Sequence, residues 1–144
     1  MKNIFLTLVL IMTTVVGKAQ KLMDLKVDSA YLFEYSDTMS FEDAWNSGQI
    51  TNLGVVRRYD ESMKRWVINF YSREITFGNY EPRQIIQVEN ENNKLVYKNG
   101  LGQTCKLFMM KNSETGEEMV FFLDEPKDGK VKGGFAYPTE RMVL

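Results

Sequence analysis

From Lys26 to the C-terminus the chain is written in a period of two, broken by turn signals roughly every 8–12 residues, and this rhythm points away from a helical fold. Successive side chains of an extended strand face opposite ways, so an alternation of apolar and polar residues marks a strand with one buried face. Lys26–Ser36 sets Val27, Tyr31, Phe33 and Tyr35 against Lys26, Asp28, Glu34 and Ser36. Arg65–Tyr71 does the same with Trp66, Ile68 and Phe70. Shorter runs follow at Gly54–Tyr59, Glu74–Phe77, Gln84–Glu89, Lys94–Lys98, Gln103–Lys111, Glu117–Asp124 and Lys130–Tyr137. Met142-Val143-Leu144 reads as a last edge strand or a frayed end.

The punctuation between these runs is polar. Asp60–Lys64 is predicted to turn a hairpin between Gly54–Tyr59 and Arg65–Tyr71, and Asn90–Asn93 to turn the next pair. Asn99-Gly100 is the strongest two-residue turn signal, but Leu101-Gly102 after it predicts a longer or bulged loop. Gly133-Gly134 predicts a bulge or bend in the last long strand. Ser40 followed by Glu42 and Asp43, with Gly48 downstream, predicts one short helix. The fold class expected is all-β, a small antiparallel β-barrel or sandwich of about eight or nine short strands, with the helix near one mouth. In pattern only, this is similar to the lipocalin-like up-and-down barrel; the Gly-x-Trp of lipocalins is absent from the first strand, where Tyr31-Leu32-Phe33 stands.

Residues 1–19 follow a different grammar. Lys2 gives a positive start, Ile4 to Val16 is an apolar run of 13 residues broken only by threonines, and Gly17-Lys18-Ala19 places small residues before a cut ahead of Gln20. The segment resembles the export signals of bacterial secreted and periplasmic proteins. Its apolar run is shorter than the ~20 residues that span a bilayer, so no stable membrane anchor is expected after processing. The expected organisation is a signal peptide over 1–19 and a single β-rich domain over 20–144, placed in the periplasm or outside the cell. No Pro-, Gly- or Ser-rich linker interrupts it.

Composition excludes several chemistries. There is no histidine, so no histidine general base and no His-ligated zinc or haem. The 18 Lys+Arg are balanced by 19 Asp+Glu, which argues against a nucleic-acid binder. The single Cys105 cannot form an internal disulfide and is expected to be a small buried hydrophobe. Most of the carboxylate pairs Glu42/Asp43, Asp60/Glu61, Glu117/Glu118 and Asp124/Glu125 sit in predicted turns or at strand ends, where solvent surrounds them and no deep apolar cleft is expected. No catalytic residue, cofactor or metal site is therefore expected.

What stands out is apolar excess. Gln103–Lys111 and Glu117–Asp124 carry apolar residues on both faces, Cys105, Leu107 and Met109 alternating with Phe108 and Met110. Such strands are buried on both sides, or meet a ligand or partner on one. The reading is a non-catalytic β domain that binds a small apolar or amphipathic ligand, with Trp45, Trp66, Phe70, Phe108, Met110 and Phe122 as ligand-binding candidates. The alternative is an interaction or structural module that docks a cell-envelope protein. Arg57-Arg58 and Lys64-Arg65 are expected to form cross-strand ion pairs on the hairpin. Arg57 would instead contact an anionic ligand if it points inward.

Overall fold

The computed structural model describes residues 9–10, 22–89 and 94–143. The expected turn at Asn90–Asn93 lies outside them, as does the expected signal peptide over 1–19 apart from Val9–Leu10. In chain order the elements are β1 (Val9–Leu10), β2 (Leu22–Lys26), β3 (Ser29–Ser36), α1 (Phe41–Asn46), β4 (Thr51–Arg58), β5 (Arg65–Asn69), β6 (Glu74–Phe77), β7 (Arg83–Glu89), β8 (Lys94–Lys98), β9 (Thr104–Lys111), β10 (Glu118–Leu123), β11 (Lys130–Ala136) and β12 (Glu140–Val143). The fold is all-β: one antiparallel sheet in the order β12-β2-β5-β6-β7-β8-β9-β10-β11-β3-β4, curled into a half-barrel. β1 stands off this path and pairs only with Lys111 and Met110 of β9.

The curl originates at Val27-Asp28, where β2 runs on into β3. β2 pairs with β12 and β5, while β3 pairs with β11 and β4. The predicted hairpin between β4 and β5 does not form. The N–H of Tyr59 donates to the Asp28 carbonyl at 3.0 Å, and the N–H of Val27 donates to the Lys64 carbonyl at 2.8 Å. Both ends of the Asp60–Lys64 segment are thus tied to the same partner, so β4 and β5 lie end to end along β3 and β2. The basic pairs accordingly do not meet across a hairpin. Lys64 binds Glu61 at 3.0 Å and Asp28 at 3.4 Å, and Arg65 binds Asp24 at 3.3 Å.

Two apolar clusters form, one on each side of the sheet. The concave side draws on almost every strand, from Met23, Leu25 and Val27 through Trp66, Ile68, Ile75, Ile85 and Leu95 to Leu107, Val120 and Ala136. The convex cluster holds Phe33, Tyr35, Phe108, Met110, Met119, Phe121, Leu123 and Val131 beneath Phe41 and Ala44 of α1. The helix starts as expected, the Asp43 N–H donating to Ser40 Oγ at 3.0 Å. It covers the convex face of the sheet, however, and does not sit at a mouth, because the ring-bearing residues of β3, β9 and β10 need a cover on that side.

Other local expectations divide in the same way. The Asn99 loop is longer than two residues, with the Asn99 N–H donating to the Gln103 carbonyl and the Gly102 N–H to the Asn99 carbonyl. Gly133 and Gly134 are not a bulge: the ladder runs through both without a register shift, opposite Leu123 and Phe122 on one side and Phe33 and Leu32 on the other. The C-terminal segment is a strand, paired with β2.

Candidate functional site

The concave side leaves a hollow of about 430 Å³ that is unfilled by its own side chains. Strand β5 supplies Trp66, whose ring is met edge-on by Phe77 of β6 at 5.1 Å, by Tyr59 at 5.8 Å and by Phe122 of β10 at 5.9 Å. Leu32, Phe33, Leu53 and Met63 add to the apolar wall. Gly134 makes room for it: a Cβ there would lie 2.5 Å from Phe122 Cζ and 3.0 Å from Leu32 Cδ2. Small backbone on β11 thus lets two large side chains of its neighbours turn into the hollow.

Charge enters only at the mouth. Arg57, Arg83 and Lys132 line it together with Asp124, Asn99, Tyr80 and Tyr97. Arg57 faces Tyr59 and Asp124. Burial pushes the Tyr59 hydroxyl upward, and the Arg57 guanidinium draws it back. Burial likewise raises the Asp124 carboxyl, against the pull of Arg57 and Lys132. Arg83 lies over the Tyr80 ring at 5.9 Å from its centroid. Burial is also what raises Tyr97 most, with Cys105 and Asp124 adding to it and Arg83 opposing.

The structure divides the seven candidate residues. Trp66, Phe122 and Arg57 line the hollow. Phe70 is half-buried against the concave cluster without lining the hollow. Phe108 and Met110 are buried in the convex cluster, and Trp45 of α1 packs on it, its ring 5.2 Å from Phe121. The reason lies in β9: Cys105, Leu107 and Met109 turn inward, so the intervening Phe108 and Met110 must turn outward. Both faces of that strand are core. Residues that sequence reasoning passed over are Phe77, Arg83 and Lys132, while Tyr59 stood out only as an aromatic beside the Arg57-Arg58 pair. The signal for Lys132 was its phase, since it alternates with Gly134 and Ala136, and Ala136 is in the concave core.

Two other hollows of about 430 and 420 Å³ have no aromatic lining. One is walled by Lys26, Glu61, Lys64, Arg65 and Glu140, the other by Glu34, Glu125, Lys127, Asp128 and Lys130. These are solvated surfaces with charges of both signs. Of the carboxylate pairs, only Asp124 reaches the aromatic hollow. Compared with known protein families, curated proteins and solved structures, the chain matches none. Among the described residues no helix is long and apolar enough to cross a membrane.

Cys105 is buried, its thiol 3.8 Å from the Gln103 carbonyl and 4.0 Å from Asp124 Oδ1. Burial first, and the Asp124 charge second, push it up to about 11. The thiol form is the one that fits the fold. Its contribution to stability is complete below pH 9, its ordinary value, and is lost as the pH rises to about 11, because the unfolded chain releases the proton first. A melting series across this range is expected to fall more steeply for the native protein than for Cys105→Ala. Iodoacetamide at pH 8 should label Cys105 readily only in urea. Equal labelling of folded and unfolded protein would contradict the burial.

Proposed function

We propose that this chain is an exported, non-catalytic β protein that holds a small apolar or amphipathic ligand in the hollow walled by Trp66, Phe77 and Phe122. The observation that carries this reading is the hollow itself. Its volume lies in the range of small-molecule sites, and it combines an aromatic wall with a few convergent polar groups. The rings of Tyr59, Trp66, Phe77 and Phe122 pack on one another along one wall and leave the space beside them open. On this reading the curled sheet is a small up-and-down barrel. Taking β2/β3, β4/β5 and β11/β12 as single bent lengths, each length pairs with its neighbours in sequence, and the last pairs with the first. Export rests on residues 1–19; their removal would take away β1 and leave the ladder from β2 to β12 intact.

The test is titration with a neutral apolar fluorophore, N-phenyl-1-naphthylamine, excited through tryptophan. Saturable energy transfer at one probe per chain is expected, with a Kd of about 1–100 μM. Trp66→Ala should raise the Kd several-fold, whereas Trp45→Phe, on the convex side, should leave the Kd unchanged. Absence of saturable binding would sink the reading. It would favour a docking module instead, for which β4 is the observation: all eight of its residues are exposed, Leu53, Val55 and Val56 among them, and among the described residues it ends the sheet with one edge unpaired.

A further inference from the structure

We infer that the hollow selects a singly charged amphipathic anion, its apolar body against Trp66, Phe77 and Phe122 and its carboxylate at the mouth among Arg57, Arg83 and Lys132. This rests on the ligand-binding reading above and names the class of ligand. Three cations and one carboxylate line the mouth of a chain whose formal net charge is −1, so positive charge is gathered there against the overall balance.

These cations also stand outside the close ion pairs, although Arg57 hydrogen-bonds Tyr59 and, with Lys132, attracts Asp124. Elsewhere Lys64, Arg65, Lys94 and Lys130 each approach a carboxylate within 3.0–4.0 Å. None of the ion pairs among the described residues uses Arg57, Arg83 or Lys132. Arg83 is held in place as well. Its guanidinium lies over the Tyr80 ring and beside Gly100, where a Cβ would come within 3.2 Å of its Nη2. A planar fork of this kind matches a carboxylate with two parallel hydrogen bonds.

Asp124 sets the limit on charge. It sits among the cations, so a second negative charge on the ligand would face a carboxylate. The apolar wall and the charged mouth bound one continuous hollow, which suits a body and a head group in a single molecule.

The experiment is competition of decanoate and 1-decanol against bound N-phenyl-1-naphthylamine at low ionic strength. Decanoate is expected to compete about tenfold better than 1-decanol, the worth of one charge-assisted pairing. The preference should shrink in high salt. Arg57→Gln and Lys132→Glu should each reduce the ratio of decanoate to 1-decanol affinity several-fold. Both positions are exposed, and the melting temperature of each variant serves as the check on folding. Equal competition by the two ligands, or a preference unchanged in Lys132→Glu, would overturn the head-group assignment while leaving the apolar site standing. If the fluorophore itself does not bind, the site reading fails and this inference falls with it.

Discussion

Replacing Phe121 by alanine is expected to lower folding stability by about 3–5 kcal/mol, read as a fall in the urea midpoint at unchanged m-value. Phe121 is wholly buried and is the hub of the convex cluster. Its ring stacks on Phe108 at 5.3 Å with 4° between planes, and meets Phe41 at 5.2 Å, Trp45 at 5.2 Å and Phe135 at 5.5 Å. Truncation removes the transfer energy of the ring and opens a cavity that its neighbours, themselves rigid aromatics, fill poorly. The loss reaches α1 as well. A helix of six residues has no stability of its own and stays in place through Phe41 and Trp45, both of which rest on Phe121. Phe121→Leu, which keeps much of the volume, should lose only about 1–2 kcal/mol. A loss below about 1.5 kcal/mol for the alanine variant would mean that the helix does not cover this face.

The strands were legible wherever one face met water. β5, β6 and β8 alternate cleanly, and Trp66, Ile68, Ile75, Leu95 and Tyr97 all turn to the concave core. β2 was obscured because Leu22 stands beside Met23 and Leu25 and breaks their phase. The long alternation from Lys26 misled in another way. Val27 and Ala30 both face the concave core, three residues apart, while Tyr31, Phe33 and Tyr35 lie on the convex side. Two faces change places at Asp28-Ser29, and a period of two carries no mark of the exchange. The polar run Asp60–Lys64 has the composition of a hairpin turn, but where a loop's ends are hydrogen-bonded is a tertiary matter, decided here by Val27 and Asp28.

The site was legible only in its aromatic part. Trp66 and Phe122 come from β5 and β10, and nothing in either segment shows that their rings meet. No motif in the sequence marks Arg83 or Lys132, since a charge in a strand usually faces water. What places Lys132 at the mouth is its phase against Ala136 and its position opposite Glu34, both consequences of register. On β9 and β10 alternation failed for the opposite reason: with core on both faces, there is no polar face to read.

Gly78→Ala is expected to lose about 3 kcal/mol or more, a large effect for a single methyl group. Gly78-Asn79 has the look of a simple turn closing β6, yet two separate constraints fall on Gly78. Its φ is +58°, a left-handed conformation that costs a residue with a Cβ about 1–2 kcal/mol. A Cβ would also lie 2.5 Å from Met63 Cα and from the Ser62 carbonyl oxygen. Those are backbone atoms of the Asp60–Lys64 excursion and cannot swing aside as a side chain would. Overlap of this kind costs about 1–3 kcal/mol more. The Gly78 N–H also donates to the Arg65 carbonyl at 2.7 Å, so the strain cannot be relieved without loosening the start of β5. Gly116→Ala separates the two terms, because Gly116 has a φ of +76° with nothing within 4 Å of where a methyl group would stand, and should lose only about 1 kcal/mol. Equal losses in the two variants would show that the excursion does not pack on the end of β6. Met63 also lines the aromatic hollow, so the shift forced by Gly78→Ala should weaken fluorophore binding, while Gly116→Ala should leave it as it was.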